Sequence, residues 1–241
     1  MGKKILEITV RIGCKNMCSY CPQDTLIKAY KDLKKVMSFE DFKSIMRNVP
    51  QEVQIDFSGF AEPFLNKEAS LMMKYCIEHN YRTIIYTTLE GFTEEDAKIL
   101  RGVTFGNIAF HRYKGFGYNE EKFNKSMELF KRSNIKSTGN YNDGNVGNIQ
   151  SRAGNLYEVQ DKLNPIICSA APEFNHNIVL PNGDVYLCCM DYGLKQKIGN
   201  LLETSYDNLD RNSVNILANK YNSDLICRKC ELATLKYPKN W

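Results

Sequence analysis

The run Cys14-Lys15-Asn16-Met17-Cys18-Ser19-Tyr20-Cys21 decides how the rest of the chain is read. Its spacing is Cys-x3-Cys-x2-Cys, three thiols on one tight loop. Three thiolates can converge on one face of a metal centre, one short of the four that close a structural zinc or iron–sulfur site. An open coordination position belongs to catalytic rather than structural metal chemistry. The residues also fit a second reading, a zinc loop completed by a distant ligand such as His111 or His176. Upstream of the loop, Ile5 to Ile12 is rich in β-branched residues and predicts a strand leading into it.

Working outward, strands and helices alternate. Ser38-Phe39-Glu40-Asp41 resembles a capping box, and Phe42, Ile45, Met46 and Val49 follow at helical spacing. Val53 to Phe57 predicts a second strand, and residues 67–80 a helix with Leu71, Met72, Tyr75 and Cys76 inward. Arg82 to Thr88 is the next strand, and Thr93-Glu94-Glu95-Asp96 starts a short helix. Phe105 to Phe110 reads as a strand, and Asn119 to Arg132 as a helix with Phe123, Met127 and Phe130 on one face. This alternation predicts an α/β fold with a parallel sheet and right-handed crossovers. In a barrel of that kind function sits at the C-terminal ends of the strands, where the cysteine loop, Glu62, Thr88 and His111 all fall.

Composition agrees. The chain has 241 residues, 43% hydrophobic and 25% charged, which is ordinary globular usage. Net charge is +4 from 32 basic and 28 acidic residues, too balanced to argue for nucleic acid. No segment approaches the roughly 18 apolar residues of a membrane span, and the N-terminus lacks the apolar region and cleavage site of a signal peptide. A cytoplasmic location is expected, and a reducing cytosol does not favour disulfides. Yet there are nine cysteines, at 14, 18, 21, 76, 168, 188, 189, 227 and 230. A chain this long needs no disulfide staples to fold. The thiols therefore serve something other than each other, except Cys76, read as a core residue.

The cysteine spacing, with an aromatic at Tyr20 and a position at the end of the first strand, resembles the signature of radical S-adenosylmethionine (SAM) enzymes. The resemblance implies a partial (β/α)6 TIM-like barrel. It implies that Cys14, Cys18 and Cys21 hold a [4Fe–4S] cluster whose fourth iron is chelated by SAM, and that one electron from the cluster yields a 5′-deoxyadenosyl radical. A second motif supports it. Ser58-Gly59-Phe60-Ala61-Glu62-Pro63 follows the second strand, where that family has a Gly-Gly-Glu-Pro type loop receiving the SAM ammonium. Ala61 replaces the second glycine, which a negative φ allows. By the same resemblance Tyr20, Ser58, Gly59, Glu62, Thr88 and His111 are cofactor-binding. For His111 a satisfied strand-end histidine is the alternative.

Residues 137–155 have linker composition but end in Ser151-Arg152-Ala153-Gly154-Asn155. An Arg-Ala-Gly triplet there resembles a subset of the family in which the arginine points into the active site. Arg152 would be catalytic, binding the SAM carboxylate or orienting a substrate hydroxyl.

In the last third, Asn182-Gly183-Asp184 is a hairpin turn between two apolar runs. Cys168, Cys188, Cys227 and Cys230 make four ligands, a closed set that suits zinc as well as iron–sulfur. The spacing resembles the SPASM/twitch extension of radical SAM enzymes, in the short form with one auxiliary [4Fe–4S] cluster. Gly-x4-Cys spacing favours Cys188 over its neighbour Cys189 as ligand. We expect a barrel over residues 1–165 and a small auxiliary-cluster appendage over 166–241.

A closed auxiliary cluster suits electron transfer, which favours a two-electron oxidation. The architecture resembles the 2-deoxy-scyllo-inosamine dehydrogenases. The expected activity is therefore a radical SAM oxidoreductase, dehydrogenating a sugar-like or other small-molecule alcohol, with a flavodoxin- or ferredoxin-type electron donor. The alternatives are radical modification of a peptide (epimerisation, crosslink or thioether), sugar deoxygenation or epimerisation, and a zinc or iron–sulfur interaction module without enzymatic activity. A peptide substrate would call for a separate peptide-recognition protein, because Cys14 leaves no room before it for a recognition domain.

Overall fold

The computed structural model describes residues 2–16, 18–111, 119–139 and 150–236, and the backbone of 141–143. The elements are β1 (Ile5–Ile8), α1 (Gln23–Ala29), α2 (Phe39–Met46), β2 (Gln54–Phe57), α3 (Ala69–Glu78), β3 (Thr83–Thr87), α4 (Glu94–Ile99), β4 (Thr104–Phe105), β5 (Asn107–Phe110) and α5 (Glu120–Arg132). They continue as β6 (Lys136–Ser137), β7 (Tyr141–Asp143), β8 (Ile166–Cys168), β9 (His176–Val179), β10 (Asp184–Tyr186), β11 (Lys197–Asn200), α6 (Arg211–Asn219) and β12 (Ala233–Leu235). No helix among the described residues is long and apolar enough to cross a membrane.

The central sheet has the order β11-β10-β9-β1-β2-β3-β5-β7. From β9 to β7 every pairing is parallel; β10 and β11 are added antiparallel at one end. This is the parallel-dominated, partial TIM-like arrangement expected from the alternation of strands and helices. The sheet also runs past the expected boundary at residue 165: β9 pairs in parallel with β1, Ile5 opposite His176 and Ile8 opposite Val179. β10 then turns back on β9 at the Asn182-Gly183-Asp184 hairpin.

Local chemistry accounts for the helices. Ser38 and Asp41 form the anticipated capping box: Ser38 Oγ accepts from Asp41 N at 3.2 Å, and Asp41 Oδ2 accepts from Ser38 N at 3.3 Å. Thr93 and Asp96 repeat the device at α4. Helix α3 turns Met72, Met73 and Cys76 into the core, while Leu71, expected inward, is 37% exposed and Met73 takes its place. At period 3.6 the inward stripe passes through 69, 72, 73 and 76 rather than 71. The linker composition of 137–155 hid β7, which pairs with β5. Its short polar strand carries no apolar period to betray it. Residues 140 and 144–149 of that stretch lie outside the described residues.

Between sheet and helices lies one large core, including Leu6, Ile8, Phe42, Ile55, Phe57, Met72 and Ile108. A smaller cluster of Ile12, Leu26, Tyr30, Phe60, Tyr186 and Tyr192 packs α1 and the cysteine loop against the β9–β10 hairpin. Asn66 pins the loops together, its buried Nδ2 donating to the carbonyls of Val10 (2.9 Å) and Met37 (2.8 Å).

Candidate active site

A cavity of about 340 Å³ opens at the C-terminal ends of the parallel strands. Cys14, Cys18 and Cys21 line it, and so do Tyr20, Ser58, Gly59, Glu62, Thr88, His111 and Arg152. Every first-group cysteine and every anticipated cofactor-binding or catalytic residue is thus on one wall or another of the same space. The loop is held from several sides. Gln23 Nε2 donates to Phe60 O at 2.6 Å and to Cys21 Sγ at 3.1 Å. The Tyr192 hydroxyl lies 3.3 Å from Cys21 Sγ, and Asn16 Nδ2 donates to Thr88 Oγ1 at 2.9 Å. Burial pushes the Cys14 thiol up and the Cys18 thiol to about 11. Metal coordination takes thiolates, so loading such a loop releases protons.

Glu62 is buried and both its oxygens are occupied. Oε1 accepts from Thr87 Oγ1 at 2.7 Å and Phe64 N at 3.3 Å. Oε2 accepts from Thr88 N at 2.6 Å and Thr88 Oγ1 at 2.8 Å. Desolvation still wins over these bonds and raises its pKa to about 7. Three residues earlier, Gly59 has φ +85°, and a Cβ there would stand 2.4 Å from Thr9 Oγ1. Only glycine fits. Ala61 is not among the residues with positive φ, so alanine costs nothing there.

Arg152 reaches the cavity from an unusual backbone. Arg152, Ala153 and Gly154 have φ of +54°, +53° and +79°, three consecutive left-handed residues. Two of them carry a Cβ, a strained arrangement of the kind that clusters at functional sites. The turn puts Arg152 on this cavity and Ala153 on a second one. Arg152 Nε donates to Tyr20 O at 3.2 Å, and its guanidinium lies 5.8 Å from the Tyr20 ring. Burial, with the Arg152 charge adding to it, holds the His111 pKa below its ordinary value.

The second cavity, of about 210 Å³, is lined by Cys168, Cys188, Cys227 and Cys230. Cys168 closes β8, whose partner is β12, and Cys227 and Cys230 flank a short helical turn in which Cys230 N donates to Cys227 O at 3.1 Å. Arg228, between them, is buried and donates to the carbonyls of Lys162 (2.8 Å), Asn164, Leu217 (3.1 Å) and Lys220, tying the preceding loops to this turn. Burial drives the Cys188 thiol well above its ordinary range, and the Cys227 thiol to about 12. Cys189 differs from Cys188: it lines both cavities, and its thiol bonds Glu7. Cys76 is in the core, far from either set in sequence and lining neither cavity.

Among the described residues no three His, Cys, Asp or Glu side chains meet as a single ion requires. The two cysteine sets ring cavities instead, which fits polynuclear clusters whose irons each take one thiolate. His176, a candidate zinc ligand by sequence, pairs with Glu7 at 2.8 Å.

Sequence reasoning passed over Glu7, Asp56, Tyr86 and Tyr192, which also line the first cavity. A signal was available. Central parallel strands are normally apolar throughout, yet β1 reads Ile-Leu-Glu-Ile and β2 reads Gln-Ile-Asp-Phe, with both acids buried.

Comparison with known proteins fits this geometry. Residues 168–231 match the family model for SPASM, an iron-sulfur cluster-binding domain. Among solved structures the chain is similar to BtrN in complex with AdoMet and 2-DOIA, with a TM-score of 0.66 and 19% identity over 95% of this chain and 92% of that one. It is also similar to anSMEcpe with bound AdoMet, with a TM-score of 0.56 and 15% identity over 94% of this chain and 83% of that one. At these identities the likeness is one of fold, and the fold is the one that the radical SAM resemblance implied.

Proposed function

We propose that the chain is a radical SAM enzyme that abstracts a hydrogen atom from a small-molecule alcohol and oxidises it by two electrons. The observation carrying this is the pair of adjoining cysteine cavities, one with three thiols beside Glu62 and one with four, sharing His176 and Cys189 as a common wall. Bound in them, two [4Fe–4S] clusters and SAM supply a 5′-deoxyadenosyl radical and a one-electron acceptor.

In this reading Cys14, Cys18 and Cys21 hold the first cluster. Glu62 receives the SAM ammonium, whose charge would offset the burial that disfavours its carboxylate. Gly59 and Ser58 bring backbone close to the ligand, with Tyr20, Thr88 and His111 around it. Arg152 orients the substrate hydroxyl; a guanidinium stays protonated, so it positions rather than deprotonates, and the hydroxyl proton passes to water at the mouth of the cavity as the carbonyl forms. Cys168, Cys188, Cys227 and Cys230, which line the adjoining cavity, would hold the second cluster, and that cluster would supply a one-electron acceptor. A flavodoxin- or ferredoxin-type protein supplies the first electron. Radical modification of a peptide is the second reading; anSMEcpe, of similar fold, was solved with AdoMet and the Cp18Cys peptide.

Anaerobic reconstitution with iron and sulfide tests the proposal. About eight irons per chain are expected, with 5′-deoxyadenosine formed from SAM on adding reductant. A deuterated alcohol substrate should pass label to 5′-deoxyadenosine and leave as a carbonyl. Tightly bound zinc with intact SAM would overturn the reading, and a redox-neutral product would overturn the dehydrogenation.

A further inference from the structure

Two side chains from distant parts of the chain meet on the Cys21 sulfur. Gln23 brings its Nε2 to 3.1 Å from the start of α1. Tyr192 brings its hydroxyl to 3.3 Å from the C-terminal region, 171 residues away. Chemistry sets the direction of each bond. Gln23 Nε2 also lies 2.6 Å from Phe60 O, which can only accept, so the nitrogen and not Oε1 faces both partners. Between the Tyr192 hydroxyl and a free thiol either atom could donate. A cysteine bound to iron is a thiolate without a proton, so in the loaded loop the hydroxyl donates. A neutral thiol is a weak acceptor, whereas a charged sulfur makes the bond a strong one.

Tyr192 is held in place for this contact. It is 3% exposed, and its ring centroid lies 4.6 Å from that of Phe60, in the loop before Glu62. Phe60 is fixed in turn, its N donating to Thr9 Oγ1 at 3.2 Å. The turn that carries Tyr192 is closed by the buried Asp191, whose carboxylate accepts from Lys195 N at 2.9 Å and Gln196 N at 2.7 Å. Asp191 N donates to Cys188 O at 3.1 Å. One short turn thus carries both a cysteine of the second set and a donor to the first.

We propose that Tyr192 sets the reduction potential of the first cluster by donating to the Cys21 sulfur, so that the C-terminal region tunes that cluster besides holding one of its own. The inference rests on the reading of Cys14, Cys18 and Cys21 as cluster ligands. Uptake of one electron adds negative charge that the ligand sulfurs share. A hydrogen bond to sulfur is then stronger in the reduced state than in the oxidised one, and the potential rises. Tyr192 acts through Cys21 and is a positioning residue, not a catalytic one.

The test is an anaerobic redox titration of the reconstituted full chain with dithionite and soluble mediators, read by electron paramagnetic resonance. S-Adenosylhomocysteine keeps the amine and carboxylate of SAM and lacks its sulfonium methyl, so the signal that it alters belongs to the cluster with an open iron. Tyr192→Phe keeps the ring and loses the hydroxyl. At a fixed solution potential its ratio of reduced to oxidised first cluster should fall about tenfold, a shift of about 59 mV to lower potential. Iron content and melting temperature should stay at the parent values. Tyr192→Leu is a second variant without the hydroxyl and should shift the potential the same way. An unchanged or raised potential in whichever variant loads about eight irons would overturn the inference and spare the cluster assignment. Loss of iron from both variants would make Tyr192 a structural residue and overturn it as well. A parent chain without a signal that S-adenosylhomocysteine alters would sink the assignment of Cys14, Cys18 and Cys21, and the inference with it.

Discussion

Replacing Glu62 by Gln should change stability in a pH-dependent way whose size follows from four hydrogen bonds and one pKa. The carboxylate accepts at both oxygens, each from one main-chain N–H and one hydroxyl. The hydroxyls can turn and accept; the N–H groups of Phe64 and Thr88 cannot. Whichever way the amide is placed, its NH₂ faces one of those N–H groups and leaves it unpaired. Burying an unsatisfied donor costs about 1–3 kcal/mol. Against this stands the titration. Burial raises the Glu62 pKa from 4.5 to about 7, so the folded chain favours the protonated form. Its contribution is present in full below the lower value and is lost as pH rises through the upper one. At 1.36 kcal/mol per unit the loss is about 3 kcal/mol, most of it between pH 5 and pH 8. Gln does not titrate. The variant should therefore be less stable than the parent near pH 5 and level with it near pH 8. Thermal melts of the cluster-free chain read this directly, since each kcal/mol is roughly 2–4 °C for a chain of this size. Asp56 titrates in both proteins and cancels in the comparison. An offset that is the same at both pH values would refute the assignment of the buried charge. With clusters loaded, the same substitution should weaken SAM binding at least about tenfold, through loss of a charged partner.

Other substitutions check separate parts of the structure. Cys188→Ala should lower iron from about eight to about four per chain, while Cys189→Ala leaves it unchanged; the reverse outcome would exchange their roles. Gly59→Ala places a Cβ 2.4 Å from Thr9 Oγ1 and 2.7 Å from Ile178 Cδ1 at a φ of +85°. It should cost about 2–4 kcal/mol in chemical denaturation, and an unchanged midpoint would contradict the packing described. Cys76→Ala should cost about 1–2 kcal/mol as a small core cavity with iron content intact; any loss of iron would make Cys76 a ligand.

Much of this was legible before any coordinates. Cys14, Cys18 and Cys21 carry their meaning in spacing alone, because a short loop limits where three thiols can go. The capping boxes at Ser38 and Thr93 are local, so four residues contain the whole signal. Glu62 was legible through the resemblance of Ser58-Gly59-Phe60-Ala61-Glu62-Pro63 to a known SAM-binding loop, a match contained in six consecutive residues. What stayed hidden depends on pairing between distant segments. Nothing near Glu7 announces that His176 will sit 2.8 Å away. That contact exists because β9 lies beside β1, and register across parallel strands leaves no local trace. β7 was lost in a linker-like composition because its strand is three residues long and polar.

The pairing of β1 with β9 has a consequence for how the chain is made. Ile5 finds its neighbour His176 only after some 170 further residues have been synthesised. At about 5–20 residues per second, that edge of the first strand stays open for roughly 10–30 s on the ribosome. The other edge closes much earlier, when β2 emerges. Through that interval the three-cysteine loop is anchored on one side only, and the aromatic cluster that later presses on it, Tyr186 and Tyr192, is still to come. Iron delivered too soon would meet a loop without its wall. We expect cluster assembly to follow release of the chain, and a pulse-chase of iron incorporation against nascent-chain length would time it.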